Sequence, residues 1–89
     1  MKVVVNEDVH PEELFNVVQF FDDESSEYVR RGVPIENAMD AAKHYTSSVA
    51  VRMGWVVRVI ITDMLDRTCF EWINGKGVTF PPLTPLRDG

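Results

Sequence analysis

Apolar and polar positions change their period twice along this chain. Met1 to Val5 (MKVVV) is a short β-branched run and predicts a strand, ended by Asn6, Glu7 and Asp8. Pro11 then stands where a first helical residue is favoured, with Glu12 and Glu13 in the positive first turn. Leu14, Val17, Val18 and Phe21 recur at i, i+3, i+4 and i+7, one helical face that Phe15 and Phe20 widen. The polar run Asp22-Asp23-Glu24-Ser25-Ser26 interrupts it. Two readings follow: Asp23 caps a second short helix through Tyr28 to Arg31, or the first helix runs on, bent. Gly32 fits a helix C′ position in either.

Pro34 opens the clearest helix. Ile35, Ala38, Met39, Ala42, Tyr45, Val49 and Met53 fall on one stripe at about 100° per residue, and Gly54 stops it. The small Ala38 and Ala42 on that stripe let the helix approach a sheet closely. From Trp55 the period becomes that of strands. Trp55, Val57, Val59 and Ile61 form the predicted core face, with Val56, Arg58, Ile60 and Thr62 on the other. Asp63 to Arg67 reads as a wide turn, Thr68 to Ile73 as the next strand, and Val78 to Phe80 as the last. Asn74-Gly75-Lys76-Gly77 predicts the hairpin between them, because Asn and Gly tolerate positive φ. Pro81, Pro82 and Pro85 forbid ladder hydrogen bonds beyond it.

The expected fold class is therefore α+β: a two-layer sandwich of order β-α-(α)-α-β-β-β, its sheet mainly antiparallel and its helices on one face. Residues 1–80 form the domain and 81–89 an extended proline-rich tail, which either packs Leu83 and Leu86 back onto the domain or hangs free. Both faces of the strands carry apolar residues. If the hairpin closes through Asn74 and Gly75, Phe80 meets Cys69 and Val78 meets Glu71; over the longer loop, Ile73 meets Val78. Either register puts Phe70 and Trp72 on one side, and in at least one of them Cys69, Ile73, Val78 and Phe80 occupy the other. Helices cover one set, so the other is expected to stay partly open as a docking face or as an edge for strand addition.

Charge sharpens the picture. The net charge is −5, and residues 1–40 carry ten acids against three bases while residues 41–89 carry four against six. An acidic half repels phosphate backbones, which argues against direct nucleic-acid binding and suits a basic protein partner. The lone Cys69 excludes an internal disulfide and a cysteine metal knuckle, and fits a reduced, cytoplasmic setting. No apolar run approaches the roughly 20 residues of a membrane span, nor is there a signal-peptide h-region.

Candidate chemistry is sparse. Glu36, Asp40 and His44 line a ridge of the long helix at i, i+4 and i+8, donors suited to a divalent metal, but on the face opposite the apolar stripe, where solvent exposure is the expectation. Cys69 lies within a strand and reads as a packed thiol rather than a nucleophile. Asp63 and Asp66 read as turn residues bonding local backbone. The GKG of residues 75–77 lacks the length of a phosphate loop.

These observations predict a non-enzymatic protein-binding module without a cofactor or metal. Aromatics supply its desolvated centre (Phe70 and Trp72, with Arg58), and Asp22, Asp23, Glu24 and Glu27 steer a larger partner with a basic surface. In style, as a short α+β chain with an acidic half and no catalytic motif, it resembles accessory proteins of phages and mobile elements. The sharper expectation is an inhibitor of a nucleic-acid-handling complex, its acidic segment competing for a basic groove. The alternatives are a homodimer joined through the sheet face and a small metal-dependent enzyme using Glu36, Asp40 and His44.

Overall fold

The computed structural model describes residues 14–81. The expected Met1–Val5 strand and the tail beyond Pro81 lie outside them. The described residues form an α+β fold around one open, antiparallel sheet of five strands: β1 (Phe15–Phe21), β2 (Ser26–Val33), β3 (Val56–Asp63), β4 (Thr68–Ile73) and β5 (Gly77–Phe80). Between β2 and β3 come two helices, α1 (Ile35–Thr46) and α2 (Val49–Arg52). Spatial order is β2-β1-β3-β4-β5.

The first third of the chain corrects the sequence expectation. Residues 14–33 hold a β-hairpin, not one or two helices. The spacing of Leu14, Val17, Val18 and Phe21 suits a helix, but five of the seven residues in Phe15–Phe21 are β-branched or aromatic, the composition that packs on a pleated surface. β1 is the inner strand between β2 and β3, which explains why Val17 and Val18, on opposite faces, are both buried. The acidic run is its turn: Asp23 accepts hydrogen bonds from the backbone N–H and hydroxyl of Ser25, and Glu24 takes a left-handed φ of 74°. Gly32 is not a helix cap. It sits in a bulge of β2 with φ 60°, its N–H donating to the buried Oδ1 of Asn16 at 3.0 Å.

Pro34 does precede a helix, as expected, but the helix breaks at Ser47-Ser48 instead of running to Met53. The Thr46 and Ser47 hydroxyls donate back to the carbonyls of Ala42 and Lys43 at 2.8 Å, and Ser48 caps α2 by accepting from the Val51 N–H. Three consecutive hydroxyl residues thus satisfy backbone groups outside the helical ladder. Gly54, at φ 82°, closes the segment where the pattern placed the stop.

Because β2 and β3 both pair antiparallel with β1, they run parallel to each other, and the connection between them must cross β1. α1 makes that crossing. It packs on the sheet through Ala38, Ala41 and Ala42 against Val17, Val56, Val59 and Ile61. The core face of β3 is not the strict alternation expected. Phe20 pairs with Arg58 and Phe21 with Val56, so Val57 is an extra residue; Val56 turns into the core and Trp55 is left 54% exposed. On the far face, Val18 and Ile60 are buried too. Their cross-strand and same-strand neighbours, Phe20, Tyr28, Arg58 and Glu71, ring them with long side chains.

The two connections beyond β3 are tied by side chains. The Asn74 amide donates to the carbonyls of Val51 and Val56, both at 3.0 Å, fastening the β4–β5 turn to α2 and to the start of β3. Asn74→Ala removes both bonds, leaving the Val51 carbonyl only the Gly54 N–H at 3.0 Å, and is expected to cost about 1–3 kcal/mol, lowering the melting temperature by roughly 5–15 °C in a calorimetric comparison with wild type.

At the other end, the buried Asp63 carboxylate accepts from the N–H groups of Leu65 and Arg67 and from the Arg67 guanidinium. The Arg67 N–H chiefly, with that of Leu65 and the Arg67 side chain, holds its pKa below the ordinary carboxylate value. The unfolded chain therefore takes up the proton first. The resulting stability is present above about pH 4 and is lost as the pH falls through the lower folded-state value. Asp63→Asn keeps an acceptor for the turn but cannot titrate. Its melting temperature is expected to fall less steeply than wild type between about pH 5 and 2; equal slopes would contradict the assignment.

Candidate docking groove

The same crossing that seats α1 also limits it. A helix over β2, β1 and β3 does not reach β4 and β5, and α1 packs on the first three strands. Its alanines bring it close to them. At about 100° per residue, Ile35, Met39 and Thr46 fall on the flank of α1 beside the buried arc of Ala38, Ala41 and Ala42. That flank overhangs the uncovered strands. Between them runs an apolar groove. At one end, 350 Å³ is lined by Ile35, Met39, Ile61, Cys69, Phe70, Val78 and Pro81. A second cavity of 530 Å³ shares Met39, Phe70 and Val78 and continues past Trp72 to Lys43 and Thr46. Ile35 and Met39, expected in the core, are 39% and 40% exposed because they form its wall.

Phe70 and Trp72 do share one face, as the alternation predicted, but it is the helix face, where both are half-buried beside the core. Val78 joins them there. Neither expected register is adopted: the turn holds three residues, Ile73 pairs with Gly77 and Trp72 with Val78. Gly77, at φ 85°, permits this closure. Two bulges reshape the rest. Cys69 is the extra residue between Phe70, which pairs with Ile61, and Thr68, which pairs with Thr62; it lines the groove instead of the far face. Burial, with the nearby Asp63 charge, pushes its thiol above the ordinary cysteine value, the opposite of what a nucleophile requires. Thr79 is the second extra residue, and Phe80 pairs with Glu71.

Arg58 is not part of the aromatic cluster. It lies on the far face over the Phe20 ring, 4.8 Å from its centroid, and its Nε meets Glu71 at 2.6 Å. Glu71 also accepts from the Thr79 hydroxyl at 2.7 Å; that bond first, and Arg58 second, hold its pKa below the ordinary value. The far face is therefore laced with polar contacts, but it keeps apolar surface too: Phe80, paired with Glu71, is 45% exposed, Tyr28 is 44% exposed, and Ile73 pairs with Arg58 on the same side.

The acids stand apart from the groove. Asp22, Asp23 and Glu24 are exposed in the β1–β2 turn, while Glu27, on β2, accepts from the Gln19 amide at 3.1 Å. The Asp22 N–H donates to the Trp55 carbonyl at 2.9 Å, so the exposed Trp55 borders the acidic turn. Sequence pattern alone misassigned Trp55 to the core and missed Ile35, Met39 and Pro81 as groove walls. The bulge and the helix position that expose them are properties of pairing, not of local composition.

Glu36, Asp40 and His44 are exposed on α1, and among the described residues no three such side chains converge on a metal position. Among the described residues β2 is an outer strand, and it carries Glu27, Arg30 and Arg31 and two irregularities of register, devices that discourage strand addition. No helix among the described residues is long and apolar enough to cross a membrane. Comparison with family models, with curated proteins and with solved structures finds no match for the chain.

Proposed function

We propose that the chain is a non-enzymatic protein-binding module. It takes an apolar segment of a larger partner into the groove between α1 and β4–β5. The groove itself carries this reading. It is long, and among the described residues its Ile35–Pro81 end is lined by no charged side chain. A small-molecule or catalytic site uses convergent polar groups to orient its ligand. Here Lys43 and Thr46 stand only at the far end. Phe70 and Trp72 on its floor and Met39 on its wall supply aromatic and adaptable surface of the kind that dominates binding energy.

The acidic turn gives the partner its sign. Asp22, Asp23 and Glu24 are exposed together, and the Ser25 hydroxyl and N–H hold the Asp23 carboxyl ionised to lower pH than usual. They lie away from the groove, so their contribution is long-range: they speed encounter with a basic protein and weaken with salt. A module of this kind suits an inhibitor that occupies a basic surface of a nucleic-acid-handling complex.

Selection from a displayed peptide library on the immobilised domain tests this, with Val78→Lys as counter-selection. Peptides with an apolar centre flanked by Lys or Arg are expected to be retained by wild type and lost on Val78→Lys. The affinity of the best peptide should fall with salt. Asp22→Lys combined with Asp23→Lys should weaken it at low salt and flatten that dependence. Retention indifferent to Val78→Lys would refute the groove. A salt series unchanged by the double variant would leave the acidic turn without a role in binding.

A further inference from the structure

Pro81 lines the groove, and the chain continues from it. We infer that residues 82–88 of the same molecule occupy the groove as an internal competitor for the partner segment, an inference that rests on reading the groove as a docking surface.

Three features carry it. The first is tethering. Residue 81 stands at the Ile35 end of the groove, whereas the chain on the N-terminal side joins the sheet at the inner strand β1. A segment held at the lip experiences an effective concentration on the order of millimolar, enough to fill a weak site.

The second is pattern. Pro82-Leu83-Thr84-Pro85-Leu86 holds no charge. Its prolines favour polyproline II, which has about three residues per turn. Leu83 and Leu86, three apart, then share one side of that helix, and so do Pro82 and Pro85. Proline-rich segments of this spacing dock in grooves floored by aromatic rings, the character Phe70 and Trp72 give this one.

The third is length. β5 runs toward the Ile35 end, so entry requires the chain to reverse after Pro81. From Leu83 to Asp88 it then spans about 15 Å of polyproline II. From Ile35 to Lys43, α1 rises about 12 Å. The run is thus long enough to follow the groove from its Ile35 end to Lys43. Its uncharged residues 82–86 suit the apolar end, and the adjacent Arg87 and Asp88, which cancel in charge, come last. In this arrangement the partner gains the groove only by displacing Leu83 and Leu86, which sets a threshold on binding.

Methyl-labelled full-length protein tests the inference by nuclear Overhauser spectroscopy. Cross-peaks from the Leu83 and Leu86 methyls to the Phe70 and Trp72 rings are expected. Leu83→Asp with Leu86→Asp should abolish the tail's ring contacts, shift the Trp72 indole resonance and raise the affinity of a library-selected groove peptide several-fold. Three results would overturn it: no tail-to-ring cross-peaks, cross-peaks from Val3, Val4 or Val5 in their place, or cross-peaks that isotope-filtered mixtures show to be between two molecules. If the double variant leaves peptide affinity unchanged while Val78→Lys still abolishes it, the internal competitor falls and the docking groove stands.

Discussion

One helix cannot cover five strands. Strands stand about 4.8 Å apart, so the sheet spans roughly 19 Å between its outer strands, while a helix with its side chains is about 10 Å wide. Topology decides where that limited cover falls. The step from β2 to β3 must pass over β1, which fixes α1 above three neighbouring strands and, among the described residues, leaves β4 and β5 without a helix over them on the same side. The groove is thus a consequence of connectivity. The composition of α1 adjusts it: alanines at 38, 41 and 42 draw the helix down, and Ile35 and Met39 on its flank become a wall instead of a core.

The bulges are the second determinant. Extra residues at Val57, Cys69 and Thr79 each reset which side chains face the helix. The first puts Val56 into the core and Trp55 outside it; the second turns Cys69 toward the groove. With Gly77 closing a three-residue turn, Val78 lands beside Trp72. The same resets leave the far face to Arg58, Glu71 and Thr79, whose mutual contacts let long polar side chains flank Val18 and Ile60. The anticipated apolar β-surface lies on both sides of the sheet: Phe70, Trp72 and Val78 beside the helix, and Ile73 and the exposed Phe80 across the sheet from it, as expected.

Local patterning was legible wherever a segment's own composition settles its state. α1 after Pro34, the stop at Gly54, the three strands from Val56, the turn chemistry of Asp63 and the positive φ of Gly75 and Gly77 all follow from residue type and spacing; the Asn74 amide's bonds to Val51 and Val56 do not. Residues 14–33 did not, because Leu14, Val17, Val18 and Phe21 satisfy a helical period while their β-branched and aromatic chemistry satisfies a strand; pairing with β3 decides between them. The pairing of Phe70 with Trp72 on one face was legible from alternation. The separation of Arg58 from them was not, nor was the arrival of Met39 and Val78 at the same groove, since both depend on contacts between distant segments.

The central claim is that α1 lies over β2, β1 and β3 and stops short of β5. Methyl cross-peaks in the full-length protein read this directly. The account predicts strong contacts from the Ala38 and Ala41 methyls to Val17, Val59 and Ile61, and none from those two alanines to Val78. Strong Ala38 or Ala41 contacts to Val78 would place the helix across the bare strands, close the groove and contradict the account.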